Sequence, residues 1–190
     1  MGSAISCYFQ DSKPQEKMKI LLLGLDAVGK TTILSKVSKS IKTEIPTIGM
    51  NIEIAENQHM RFTSWDLGGS ERLKTLWRYY FPETQGLIFV VDSFDKERIE
   101  DAKSYLDYLL QQEELKDVPV LFLVNKTDLK SGIDIDEISK RFNLKDMKNQ
   151  EFNIREICAI KNKGLGEALE WLRKCISEKE IKNLRGDVKI

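Results

Sequence analysis

The sequence is short of most features that would mark a nucleic-acid binder, a secreted scaffold or a membrane span. Lys plus Arg and Asp plus Glu both number 30 in 190 residues, so the net charge is zero. No broad basic field is on offer to nucleic acid, and an anion has to be gripped locally. The three cysteines, Cys7, Cys158 and Cys175, are widely separated and form no CxxC or Cys/His cluster, which points to a reducing, cytosolic compartment. His59 is the single histidine and falls in an expected hairpin turn, as a solvated residue with no nucleophile or metal partner nearby. No apolar run approaches the roughly 20 residues of a membrane span, and the first residues lack the apolar core of a signal peptide. Repeats, low-complexity tracts and long linkers are also missing.

What is present is an alternation of strand and helix. The runs KMKILLLGL (17–25), GLIFVVD (86–92), VPVLFLVN (118–125) and the weaker EFNIREIC (151–158) have the length and apolar content of central parallel strands. Between them, Ile99, Ala102, Leu106, Leu109 and Leu110, and then Leu165, Ala168, Leu169, Leu172, Cys175 and Ile176, recur at helical spacing. The class is therefore α/β. Residues 50–66 hold two alternating runs joined by NQH, expected as a hairpin at the sheet edge. Asp134, Asp136 and Glu137 precede ISKRF as a helix N-terminal charge bias. The domain core is expected over 17–176, with 1–16 as a membrane-anchoring segment and 177–190 as a loosely ordered charged tail.

The first strand runs straight into GLDAVGKTT, residues 24–32, which satisfies GxxxxGK[ST] at the opening of a helix. Gly29 lets the chain curl so that N–H groups of Leu25, Asp26, Ala27, Val28 and Gly29 point at a phosphate, helped by the helix N-terminus. Lys30 would sit between β- and γ-phosphates, Thr31 would ligate Mg²⁺, and Thr32 would lie near the α-phosphate. A P-loop needs a second carboxylate for the metal, and Asp66 in WDLGG ends an apolar strand where it could reach a metal-bound water. Gly68 and Gly69 leave the backbone bare enough to bring an N–H to the γ-phosphate.

NKTD, residues 125–128, follows directly on the strand VPVLFLV, where open sheets bind ligands. Asp128 there can accept both N1–H and N2–H of guanine, a donor pair that adenine lacks. Asn125 would tie the loop and the N7 side of the base, and the Lys126 stem would cover the ring. CAI, with Cys158 and Ala159, offers backbone N–H groups for guanine O6, Ala159 foremost. An ATP-using P-loop kinase is disfavoured by NKTD and by the lack of an arginine-rich lid.

Together GLDAVGKTTIL, IPTIGMNIE, WDLGGSERLKTLWRYYF, NKTDL and CAI resemble the Arf and Arf-like family of small GTPases over about residues 17–176. The resemblance implies a six-stranded, mostly parallel sheet with one antiparallel edge hairpin and about five helices, GTP and GDP as ligands, and Mg²⁺. It also implies a monomeric GTP-dependent switch that recruits effectors in membrane traffic, served by an exchange factor and a GTPase-activating protein. Thr47 would join the metal shell when the γ-phosphate is present. Residues 50–66 would be a hairpin that slides in register between nucleotide states, and Met50, Trp65 and Tyr80 an exposed effector patch. Where the family carries a catalytic glutamine this chain has Ser70, whose short hydroxyl is poorly placed to hold the attacking water, so hydrolysis is expected to be very slow. A GTP-binding scaffold with essentially no hydrolysis is the alternative. MGSAIS fits N-myristoylation at Gly2, and Cys7 is a weaker site for palmitate. The end DVKI lacks a CaaX box, so no prenyl anchor is expected. The resulting expectation is a cytoplasmic protein reversibly bound to the cytosolic face of a membrane such as the Golgi.

Overall fold

In a computed structural model, residues 17–44, 51–68, 71–129, 131–144, 147 and 150–186 are described. Thr47, Met50, Gly69, Ser70, Gly2 and Cys7 lie outside the described residues. The strands are β1 (Met18–Leu25), β2 (Ile41–Glu44), β3 (Ile52–Glu56), β4 (Met60–Leu67), β5 (Gly86–Asp92), β6 (Val120–Asn125) and β7 (Phe152–Glu156). The helices are α1 (Lys30–Val37), α2 (Glu71–Trp77), α3 (Ile99–Leu110), α4 (Ile135–Arg141) and α5 (Leu165–Gly186). The fold is thus α/β, with five α-helices among the described residues.

The strands form one sheet in the order β2-β3-β4-β1-β5-β6-β7. β4, β1, β5, β6 and β7 pair in parallel, while β2–β3 and β3–β4 are antiparallel. The sheet has seven strands where six were expected. The extra strand is β2, which pairs Glu44 with Ile52 and occupies the edge position assigned to the hairpin. Its sequence IKTE is half-buried only at Ile41 and exposed elsewhere, so it carries no apolar signal. β7 is likewise an edge strand and not a central one, in keeping with its partly exposed residues.

The central strands read as continuous apolar runs because helices cover both faces. Ile20, Leu21, Leu22 and Leu23 of β1 are fully buried, as are Val120 to Val124 of β6. α3 buries Ile99, Ala102, Leu106 and Leu109, and α5 buries Leu165, Ala168, Leu172, Cys175 and Ile176, close to the faces read from spacing. The Asp134 carboxylate caps α4 by accepting from the Asp136 N–H at 2.8 Å. His59 is exposed in the β3–β4 turn, where the Asn57 side chain accepts from the N–H groups of His59 and Met60.

The charged segment expected to be loose is instead helical as far as Gly186. Periodicity fades after Ile176, yet the helix continues because its polar side chains reach the body. Gln85 donates to Glu180 at 2.5 Å, and Lys179 donates to the Asp117 carbonyl.

β1 pairs with β4 on one side and with β5 on the other, so the carboxyl end of β1 lies at the point where strand order reverses. That crevice is where open α/β sheets place ligands. The register aligns Gly24 with Asp66, and Asp92 with Asn125, at this same end.

Candidate nucleotide site

β1 ends at Leu25 and α1 starts at Lys30, leaving Asp26 to Gly29 as the connection. Two glycines fix its path. A Cβ on Gly24 would lie 2.4 Å from the Val90 carbonyl oxygen, and one on Gly29, whose φ is 102°, would lie 2.4 Å from Asn125 Nδ2. Ala27 also adopts a left-handed backbone, at φ 59°.

Asn125 is 2% exposed and ties three segments together. Its Nδ2 donates to the Val28 carbonyl at 2.8 Å, and its Oδ1 accepts from the Ala159 N–H at 3.0 Å. Asn125 thereby links the P-loop, NKTD and CAI directly. The expected loop-tying role of Asn125 is visible in these two bonds. In CAI, the Ala159 N–H bonds Asn125 and the Cys158 N–H bonds the Lys163 carbonyl at 3.1 Å. A base carbonyl would have to compete with these partners for either donor.

The Lys30 ammonium, 5% exposed at the residue level, donates to the carbonyls of Gly24 at 3.1 Å and Leu25 at 2.6 Å and to Asp66 at 2.6 Å. Burial pulls its pKa below the usual lysine range, against the Asp66 carboxylate, which favours the charged form. In this arrangement Lys30 uses protein oxygens where phosphate oxygens would serve. Thr31, next in the chain, donates its hydroxyl to the Glu53 carboxylate at 2.8 and 3.0 Å. The Thr31 hydroxyl and the Asp66 carboxylate are hard oxygen donors of the kind Mg²⁺ takes when phosphate and water complete its shell. Among the described residues there is no group of three or more His, Cys, Asp or Glu that could hold a metal ion.

At the other end, Gly29, Thr32, Asn125, Lys126, Asp128 and Ala159 line a narrow cleft. Lys126 adopts φ 64° and its ammonium bonds the Asp92 carboxylate at 2.6 Å, which pins the aliphatic stem. A hydrogen bond from the Cys158 thiol, with the Lys161 cation nearby, holds the Asp128 carboxyl below the usual carboxylate range. The group is an ionised acceptor, as reading a guanine edge requires.

The effector expectation is altered. Trp65 is not exposed: it is 2% exposed, with its ring centroid 5.4 Å from Tyr80 and 6.5 Å from Phe81. Tyr80 is half-buried, and burial together with Glu44 of β2 raises its phenol. A large indole at the end of a sheet strand is covered by the aromatic residues that follow α2.

Four residues absent from the sequence reading belong to this neighbourhood: Glu53, Asp92, Asp26's partner Arg98, and Asp95. Arg98 Nη1 donates to the Asp26 carboxylate at 2.7 Å, and its Nε to Asp95 at 2.7 Å. An acidic residue ending the strand GLIFVVD was a signal for Asp92. Arg98 meets Asp26 across 72 positions and left no local trace.

The model of the ADP-ribosylation factor family matches residues 4–176. Among solved structures, the chain is similar to the Arl6 BBS3 small GTPase from Trypanosoma brucei, determined with the nucleotide analogue GppNp bound. The two are 30% identical, with a TM-score of 0.71, covering 86% of this chain and 99% of that one. The P-loop, Asp66, NKTD and CAI gathered at one end of a small-GTPase sheet have the arrangement of a GTP-binding switch, and the chain belongs to the ADP-ribosylation factor family of small GTPases.

Proposed function

We propose that this protein is a GTP/GDP switch of the Arf or Arf-like type that recruits effectors to a membrane surface in vesicle-mediated or intracellular protein transport. The observation that carries the nucleotide part is the Asn125 tie, which locks the P-loop, NKTD and CAI into a single ligand-reading edge. Guanine would be read by Asp128 and covered by the Lys126 stem. Lys30 would exchange its carbonyl and Asp66 partners for phosphate oxygens, and Thr31 and Asp66 would hold Mg²⁺, Asp66 through water. When bound, Mg²⁺ supplies charge neutralisation along the phosphates. Thr47 would complete the metal shell in the GTP state, and Gly69 would sense the γ-phosphate.

Glu53 on β3 occupies the Thr31 hydroxyl in the present register. A slide of the β3–β4 hairpin along β1 would free that hydroxyl for the metal. The effector patch of Met50, Trp65 and Tyr80 would then require Trp65 to emerge from its buried position.

Hydrolysis is slow in this reading because Ser70 stands where the family's glutamine orients water. Loss of one preorganised polar group is worth about 10²- to 10³-fold in rate. Single-turnover GTP hydrolysis tests it: Ser70→Gln should raise the intrinsic rate, and equal rates would refute the role given to Ser70. Membrane attachment would come from myristate at Gly2, with Cys7 as a second lipid site, since one myristoyl chain binds with only about 10⁴ M⁻¹. Gly2→Ala should release the protein from membranes, and unchanged association would sink the anchor.

A further inference from the structure

The P-loop has two ends. Gly29 and Thr32 face the cleft shared with Asn125 and Asp128, whereas Leu25 and Asp26 face a separate cleft of about 430 Å³ whose walls include Gly68 and Arg98. A nucleotide lying along the loop with its base against Asp128 would have its last phosphate toward the Asp26 end. A carboxylate there is an electrostatic difficulty, because a triphosphate brings more negative charge to that end than a diphosphate does. Asp26 lies near enough to the phosphate-binding Lys30 to act on its charge.

Arg98 answers this carboxylate. It stands at the start of α3, with Nη1 on Asp26 Oδ1 at 2.7 Å and Nη2 3.4 Å from the Asp26 carbonyl oxygen. Asp95 aims the guanidinium from behind, accepting from its Nε at 2.7 Å. Lys74 and Asp101 also line the cleft, but the Lys74 ammonium lies over the rings of Tyr105 and Tyr108. Arg98 pairs with the Asp26 side chain and also reaches its carbonyl.

We propose that Arg98 is a positioning residue that sets the preference between GTP and GDP: by neutralising and holding aside the Asp26 carboxylate, it lets the P-loop accept a γ-phosphate. The inference rests on the guanine-nucleotide reading above. Without Arg98, Asp26 faces the terminal phosphate uncompensated, and the triphosphate suffers more than the diphosphate.

The test is titration of the intact protein with Mg²⁺ and either labelled GDP or a labelled non-hydrolysable GTP analogue. Wild type, Arg98→Gln, Asp26→Asn and the double variant are compared. Arg98→Gln should weaken the GTP analogue about ten-fold more than GDP, an effect that shrinks as salt is added. Asp26→Asn in the Arg98→Gln background should return the ratio of the two affinities to near the wild-type value. Equal weakening of both nucleotides, or no rescue by Asp26→Asn, would mean that Arg98 only anchors α3 and would overturn the proposal. Should Arg98→Gln not fold, Asp26→Asn alone decides: a ratio moved toward the GTP analogue supports the proposal, and an unchanged or lower ratio overturns it. Failure of the wild-type chain to bind either nucleotide would overturn the guanine reading itself, a result distinct from an altered ratio.

Discussion

Asp128 and Cys175 show how opposite surroundings set two titrating groups in one protein. The Cys158 thiol and Lys161 stabilise the Asp128 carboxylate, so this acceptor stays ionised through pH 5 to 8. The Asp128 contribution to GDP binding should therefore be flat over that range, and a loss of affinity with a midpoint above pH 5 that disappears in Asp128→Asn would contradict this. Asp128→Asn itself should weaken GDP by about 10²-fold, because it removes a charged acceptor from the hydrogen bonds to the base. Cys175 lies 2.5 Å from Glu151, and burial followed by that carboxylate pushes its thiol up to about 12. A raised thiol pKa stabilises the fold below its unfolded value near 9, and that contribution is lost as pH climbs toward 12. Native Cys175 should accordingly resist alkylation at neutral pH and react on unfolding, which thiol titration with and without denaturant measures. The P-loop, Asp66, NKTD and CAI were legible because each is a local string whose chemistry depends on spacing. Arg98 and Glu53 were not, since their partners are set only by how the sheet, α1 and α3 come together.

Among the elements, the apolar strands and amphipathic helices announced themselves, and the polar ones did not. β1, β5 and β6 are covered on both faces, and so their sequences are unbroken apolar runs. β2 and the last turns of α5 bury little, and they are held by strand pairing and by side-chain bonds to distant residues. Between α2 and α3 the contact is aromatic: Trp77 is fully buried, with ring centroids 5.8 Å from Tyr105 and 6.0 Å from Tyr108. Trp77→Ala should cost about 3 to 5 kcal/mol by the cavity it leaves. The exposed Glu137–Arg141 pair of α4 is a useful contrast, since Glu137→Ala should change stability by less than about 0.5 kcal/mol. Denaturant unfolding of both variants checks the ranking, and a reversed order would contradict this account of the packing.

For the whole molecule, a ligand that binds only the folded chain adds to its stability by mass action. GDP at about 100 times its dissociation constant should raise unfolding free energy by about 2.7 kcal/mol, with Mg²⁺ present. The family, the sheet and the gathering of the four motifs at one edge all lead to a guanine nucleotide as that ligand. Competition against labelled GDP on the intact protein tests this most directly. GDP and GTP should displace the label while ATP at the same concentration does not; displacement by ATP as effective as that by GTP would contradict the guanine assignment at Asp128.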